Sequence, residues 1–422
     1  MRSLAQGVYT HDQVLTQLRD TNTRVGTRFD VCDRVGSVIG TLPVGDDGVM
    51  LDTATVEYNG DNDIKSQFRC EMRANESLRG QTFKRLLRPS FVVKMPDGGS
   101  VAYPLGEFVW VTPERSVWTG DETWTVLLGD KTQLLDYGGP GPGGFTATSG
   151  SWTNVVINQA MTQAGFPADE QVPQFSVTID TTVTWSITTP RQIKKWETQA
   201  SRLSGSSRAS DRRRAKRIQK KIDSITVENS PTTWLAIINK LTSNAGYDEL
   251  WFNYAGQPVV EASYDPGAAI IPEFVFDCSP QGMLASRIET SPDYGGVANR
   301  IIVYDSSGTK APLAVDANVY YPAHPLSQAN TGVYIDDVLD NAGSSNSRLQ
   351  SGKKRLAETI GVYETVTFDA LLHPGVELFD VIAVQIPGDA EYSGIVPLQI
   401  RQIQLNPDVG TMSLQCQRLY SA

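Results

Sequence analysis

The sequence predicts a mainly β protein with an α+β middle: two β-barrel-like modules flank a mixed domain that carries an inserted basic helical hairpin. Three observations predict this class. Short segments of period-two alternation recur in the first and last thirds, with turn signals every ten residues or so. Helical spacing with start and stop signals is concentrated in the middle. One stretch, from Arg191 to Lys221, holds twelve basic residues and two acidic ones (Glu197, Asp211), a local net of +10. The whole chain has a formal net charge of −10, so the remainder carries −20.

Val14, Leu15 and Leu18 lie at helical spacing and place a short amphipathic helix within an N-terminal arm, residues 1–23. The first β-barrel-like domain is expected over 24–137. In it Arg28–Asp33 alternates, and Val35-Gly36-Ser37 turns the chain into Val38–Leu42. Further strands are expected at Val49–Leu51, Thr53–Tyr58, Ile64–Arg73, Phe91–Lys94, Phe108–Thr112 and Thr123–Leu128, with Asp97-Gly98-Gly99 as another hairpin turn.

A Gly/Pro linker is expected over 138–150. It contains a formal G-x-G-x-x-G from Gly139 to Gly144, but two prolines interrupt it. The next helix signal starts about eight residues later, so the phosphate-cradling geometry of a dinucleotide site is missing. The mixed domain is expected over 151–285. It opens with a helix at Trp152–Ala164, closed by Gly165, and then a β run at Phe175–Ile187. A second helix is expected with Ser230 as N-cap, Pro231 at its first position and Gly246 as its stop. Leu250–Asn253 and Gln257–Glu261 form a hairpin around Ala255-Gly256. The second β-barrel-like domain is expected over 286–422. Its strands are Arg300–Tyr304, Val362–Asp369, Glu377–Gln385, Val396–Leu405 and Thr411–Arg418, with a helix at Ser345–Ile360. In the last strand Met412, Leu414 and Cys416 share one face, and Ser413, Gln415 and Gln417 the other.

The hairpin insertion is expected over 191–225. Ile193, Trp196, Ala200 and Leu203 fall at steps of 3, 4 and 3, and Ala215, Ile218, Ile222 and Ile225 repeat them, with a Gly/Ser connector between. Arg212, Arg213, Arg214, Lys216, Arg217, Lys220 and Lys221 cover the rest of the second helix and are the candidate contacts for an anionic partner. A solvated hairpin, one docked on the chain's own acidic surface, one bound to an acidic protein and one touching a phosphate backbone all satisfy this pattern. No base-reading motif accompanies the charge.

Composition narrows the function. With 422 residues, 40% hydrophobic and 20% charged, the chain is long enough for two to four domains at roughly 100–200 residues each. Gly 36 and Pro 23 exclude a collagen-like chain. The apolar runs are too short and too often broken by charge to span a membrane, and no signal peptide is expected. Cys32, Cys70, Cys278 and Cys416 lie far apart, without a Cys-x-x-Cys pair or a Cys/His cluster, so free thiols of a reducing cytoplasm are expected. No nucleophile elbow, P-loop or His-Glu-x-x-His occurs. Asp61 does not open a calcium loop, because Ser66 and Met72 stand where Gly and Glu are needed. The acidic clusters (Asp46-Asp47, Asp61 with Asp63, Asp336-Asp337 with Asp340) are expected to be solvated loop carboxylates. The sequence therefore predicts a protein that is not an enzyme, with no cofactor and no resident metal.

The order of motifs resembles a known family. A helix ending Gln17-Leu18-Arg19 leads into Arg28–Asp33 and then Val38-Ile39-Gly40-Thr41-Leu42-Pro43-Val44. This resembles the opening of minor tail proteins from long-tailed phages of actinobacteria. Pro104-Leu105-Gly106-Glu107-Phe108 before a strand, Thr125–Leu135, Trp234–Asn253 with Ala255-Gly256-Gln257-Pro258, and Leu372-His373-Pro374-Gly375 with Asp380-Val381-Ile382 fit the same picture. The family implied is the tail-tip (baseplate) hub, similar to the trimeric hub of contractile-tailed phages. Its two barrel domains per chain let three subunits mimic a six-fold ring. The resemblance implies a structural hub in the virion, assembled in the host cytoplasm and placed at the tail tip. It implies a homotrimer that contacts the tail tube or distal tail protein, the tape-measure protein and other tip or fibre proteins, with transient contact to genomic DNA in the channel. The basic hairpin departs from that pattern. The rival functions are a receptor- or carbohydrate-binding tail protein and a cell-wall-degrading tip enzyme.

Replacing Arg212, Arg213 and Arg214 together with glutamine is expected to leave far-UV circular dichroism and melting unchanged and to lower the infectivity of particles that carry the variant. Normal infectivity would make the hairpin a solvated structural element only.

Overall fold

Each alternating segment has one apolar face to bury, and the strands share that requirement. The structure, a computed structural model, describes residues 2–20, 22–44, 50–73, 85–118, 121–140, 144–168, 170–173, 177–179, 183–185, 201, 216, 233–262, 270–279, 282–284, 288–292, 296–305, 308, 310–341, 344–361 and 364–419. The chain divides into two compact units: Met1–Gln133 with Gly246–Ala422, and Leu134–Ala245.

In chain order, α1 (His11–Arg19) is followed by β1 (Val25–Cys32), β2 (Val38–Leu42), β3 (Met50–Asn59), β4 (Ser66–Arg73), β5 (Leu86–Lys94), β6 (Ser100–Pro104), β7 (Phe108–Trp118) and β8 (Asp121–Asp130). Then come α2 (Thr132–Tyr137), β9 (Phe145–Ala147), α3 (Thr153–Gln163), β10 (Val183–Trp185) and α4 (Trp234–Asn244). The hairpin β11 (Trp251–Phe252) and β12 (Pro258–Val259) precedes β13 (Phe274–Asp277), β14 (Glu289–Pro292), β15 (Arg300–Tyr304) and β16 (Leu313–Asp316). The short helices α5 (Ala317–Tyr320) and α6 (Gln328–Thr331) lead to β17 (Asp336–Asp340), α7 (Ser345–Gly361), β18 (Glu364–Leu371), β19 (Val381–Gln385), β20 (Val396–Asn406) and β21 (Thr411–Arg418).

In the first unit, fourteen strands form one sheet along the path β14-β18-β21-β20-β3-β4-β8-β7-β5-β1-β2, with β6, β13 and β19 as side branches. Strands from the two ends of the chain therefore share a sheet. Their junction is the antiparallel pair β20–β3, which sets Ile403 opposite Tyr58 and Leu405 opposite Val56. The path is open, and no closed barrel forms among the described residues. β4 shows how the sequence sets the faces: Ser66, Phe68, Cys70 and Met72 are buried, while Arg69, Glu71 and Arg73 are exposed. One continuous apolar core holds Phe29, Phe68 and Phe108 together with Phe368, Ile382 and Ile403. Each such side chain contributes about 1.5–3 kcal/mol when fully buried.

β20 carries a bulge. The register shifts between Ile400 and Gln402, so the extra residue Arg401 resets the alternation. Ile400 and Ile403 both reach the core as a result, although they are three residues apart. The same unit holds a smaller layer. β15 pairs antiparallel with β16 and parallel with β17, and α7 packs on this sheet, with Leu356 and Ile360 beside Ile301, Val303 and Val315. Gly352 permits that approach, because a Cβ there would lie 2.6 Å from Val315 Cγ2 and 2.9 Å from Val303 Cγ2.

In the second unit, α3 and α4 pack together and bury Val156, Ile157 and Ala160 on one helix and Leu235, Ile238 and Leu241 on the other. Phe145 meets Trp234 edge-on at 5.4 Å. α4 starts later than its first sequence signal. Its cap is Thr233, whose hydroxyl accepts from Ala236 N at 3.2 Å, while Ser230 and Pro231 lie outside the described residues. β8 runs two residues past each end of the expected Thr123–Leu128 strand. The Asp130 carboxylate accepts from Thr132 N at 2.8 Å and turns the chain into α2.

His373 illustrates the cost of the core. It is fully buried, its Nδ1 accepts from Gly375 N at 3.3 Å, and its ring lies 4.7 Å from that of Phe274. Burial holds its pKa down at about 3, against an ordinary 6.5. The unfolded chain therefore binds a proton here that the native state refuses between about pH 6.5 and pH 3, and stability falls as pH drops through that window. A His373→Asn variant is expected to lose this dependence. Its stability relative to wild type should rise on acidification, by up to about 1.4 kcal/mol per pH unit, read from denaturant melts at pH 7, 5.5 and 4.5.

Candidate functional site

Two charged clusters in the first unit stand out. The first is a clamp around Glu107, in the link between β6 and β7. Arg88 of β5 pairs with Glu107 through Nη2 and donates from Nε at 3.1 Å, and Lys131 Nζ lies 2.5 Å from the other carboxylate oxygen. Glu107 is 2% exposed and the Lys131 side chain 3%. Both cations also reach a turn carbonyl: Arg88 donates to Gly36 O at 2.6 Å and Lys131 to Gly256 O at 3.0 Å. Gly36 and Gly256 have φ of +81° and +73°, and a Cβ on Gly256 would fall 2.5 Å from the Glu107 carboxyl. The two glycines allow tight hairpin tips to close over the buried charge.

The second cluster lines a cavity of about 570 Å³. Its walls come from the loop after β3, the segment before β11, one face of α7, and β18, β20 and β21. Every lysine and arginine on the wall has an acidic partner. Lys65 binds Glu249 at 2.6 Å, Lys354 binds Asp248 at 3.3 Å, Arg401 binds Asp61 at 2.7 Å, and Arg355 binds Asp337 at 2.7 Å. Lys65 and Lys354 also donate to Gly60 O and Tyr247 O. Glu358 lies 3.8 Å from both Lys354 and Arg355, and burial pushes its carboxyl above the usual range. Cys416 forms part of the wall, but burial pushes its thiol up and makes it a poor nucleophile.

Phe379 also lines this cavity and is the one described non-glycine residue with positive φ, at +66°. A bulky side chain in that region is strained, and the surroundings must hold it there. Phe379 N donates to Ile400 O at 3.0 Å, its ring packs against Trp251, and the Arg401 guanidinium sits 5.2 Å from the ring centre.

Of the seven basic hairpin residues singled out from sequence, Lys216 is helical and exposed; Arg212, Arg213, Arg214, Arg217, Lys220 and Lys221 lie outside the described residues. Asp61, Asp336 and Asp337 are ion-paired, with Arg401, Arg300 and Arg355. Asp46 and Asp47 lie outside the described residues. Among the described residues no group of three or more His, Cys, Asp or Glu is placed to hold a metal ion. All four cysteines are free, and three of them are buried. Gly144 leads directly into β9, and the next helix starts at Thr153. No helix among the described residues is long and apolar enough to cross a membrane. Sequence reasoning misses both clusters, because most of their members, such as Glu107 and Lys131 or Lys354 and Asp248, are brought together only by the tertiary fold. The polar face Ser413-Gln415-Gln417 is the one local signal of the cavity wall.

The outer edge of the sheet has a third feature. β2 pairs with β1 alone among the described residues, and Val38 and Ile39 are 50% and 46% exposed, with Val35 at 53% beside them.

No protein-family model matches the chain, and no curated protein matches its sequence. Its fold is similar to that of solved structures. The tail protein from Neisseria meningitidis MC58 aligns with a TM-score of 0.57 at 10% identity, over 93% of this chain and 96% of that one. The 43 kDa tail protein of prophage MuSo2 from Shewanella oneidensis aligns with a TM-score of 0.55 at 11% identity, over 93% and 98%. At these identities the likeness is one of fold, and it extends along nearly the whole chain.

Removing the central charge of the clamp leaves Arg88 and Lys131 uncompensated. Glu107→Gln is expected to destabilise the protein by about 3–5 kcal/mol, measured by denaturant unfolding. Arg88→Met with Glu107→Leu and Lys131→Met should recover most of that loss. A Glu107→Gln loss under about 1 kcal/mol would mean the clamp is effectively solvated.

Proposed function

We propose that this chain is a structural component of a phage tail, and within the tail the hub of the tip. What carries the reading is the fold, shared over 93% of the chain with two tail proteins of unrelated sequence. In this proposal three copies form a closed ring that caps the tail tube and organises the tip for DNA passage. The ring contacts the tube or distal tail protein, the tape-measure protein and further tip or fibre proteins, with genomic DNA passing transiently. Strands from the two halves of each chain, joined in one sheet, would supply alternating positions around the ring. The protein would be made in the host cytoplasm and end at the tip of the virion tail.

The free edge of β2 supports an assembly role. A monomer that leaves an apolar strand edge open invites edge-to-edge pairing, and a closed ring covers such edges. The Glu107 clamp fits as well, since it pins the β1–β2 hairpin tip through Gly36 and holds that edge in place.

Mass photometry of the purified chain, alone and with tube protein, is expected to show trimers. Ile39→Lys is expected to shift the population towards monomers without changing circular dichroism. A strict monomer under both conditions would overturn the hub reading, and trimers unaffected by Ile39→Lys would move the contact away from β2.

A further inference from the structure

The charged cavity beside Phe379 has no part in the proposed ring, and its chemistry points to a class of ligand. Its four cations are each neutralised by a carboxylate at 2.6–3.3 Å. A phosphate finds no spare positive charge, and a metal ion finds no open carboxylate cluster among the described residues. What remains available is neutral. Thr365, Gln415 and Gln417 line the wall, and none of their side chains forms a hydrogen bond with the described residues. Thr365 stands opposite Gln417 on the paired strands β18 and β21, and Gln415 lies two residues along β21 on the same face. A hydroxyl and two amides offer donors and acceptors together, without charge. Glu358, which accepts no hydrogen bond from the described residues either, adds an acceptor across the cavity from α7.

We propose that this cavity binds a neutral polyhydroxylated ligand, a mono- or disaccharide unit, between the Thr365–Gln415–Gln417 face and Glu358. Its volume falls within the range of small-molecule sites, about 300–1,000 Å³, and a sugar ring presents mixed donors and acceptors that match those of these side chains. A peptide backbone has similar groups but pairs along a strand edge. β21 has no such edge, being hydrogen-bonded to β18 on one side and β20 on the other. The strained Phe379, with the Arg401 guanidinium 5.2 Å over its ring, forms part of the cavity wall. The Arg401–Asp61 pair holds the guanidinium there, so the wall is formed before any ligand arrives.

Saturation-transfer NMR on the full chain tests this, with N-acetylglucosamine, galactose, arabinose and trehalose as probes and inorganic phosphate (31P line width) as the charged control. At least one sugar is expected to receive saturation, and phosphate is expected to show no binding. Gln415→Ala with Gln417→Ala should weaken that sugar about tenfold, the loss of two net hydrogen bonds. Both side chains sit on the outer face of the sheet, so the double variant should melt as wild type does. Glu358→Gln, which keeps the shape but changes the acceptor, should weaken binding less. The proposal is overturned if none of the four sugars receives saturation, if the double variant binds unchanged, or if phosphate binds more tightly than every sugar. The result does not depend on oligomeric state, so it stands or falls separately from the ring.

Discussion

The pairing of β3 with β20 is the constraint on which the rest of this structure depends. Four residue pairs join strands from opposite ends of the chain, and Gln402 donates across the junction to Glu57, 345 residues away in sequence. Closing so large a loop costs entropy that four backbone pairs do not repay. The compensation comes from the face beneath them, where Tyr58, Val56, Ile403 and Leu405 enter one apolar core with residues from both ends. Splitting the sheet here would expose that core on both halves. The two ends of the chain therefore share one sheet and one core.

Charge is buried only where geometry compensates it. Glu107 is nearly inaccessible, and a lone carboxylate there would be expelled or neutralised. It survives because Arg88 and Lys131 approach from two other elements and because two positive-φ glycines let hairpin tips close over the cluster. The same rule governs the cavity, where each cation carries its own carboxylate. The contrast lies in what is left over. The clamp consumes its hydrogen-bonding capacity internally, whereas the cavity wall keeps amides and a hydroxyl unspent. The first arrangement fixes position, and the second leaves room for an outside molecule.

The legible parts of the fold are those with a local cause. Alternation in β4, β18 and β21, the helical spacing of Val14 and Leu18 in α1, and the hairpin around Ala255-Gly256 all arise from neighbours in sequence. Neighbours alone do not show which strands meet. Nothing near Asp61 announces Arg401, and nothing near Glu107 announces Lys131. Ser230-Pro231 places the onset of α4 a turn too early, because it is a stronger composition signal than Thr233, although Thr233 makes the capping bond. Strand spacing implies barrel-like modules, but spacing cannot distinguish a closed sheet from an open one. That distinction rests on which edge strands pair.

The bulge at Arg401 joins the two roles of the sheet. Strict alternation from Ile400 would have sent Gln402 inward and Ile403 outward, placing an amide in the core and an isoleucine in water. One inserted residue corrects the parity, so both isoleucines are buried. The inserted residue is directed out of the ladder, where its guanidinium meets Asp61 and covers Phe379. Phe379 in turn donates its N–H to Ile400 O, on the core side of the same bulge. The strained turn, the ion pair and the core register are therefore coupled through a single backbone irregularity. Restoring regular pairing at Arg401 would mispack the core and dismantle the cavity wall together, so the wall is tied to the core register.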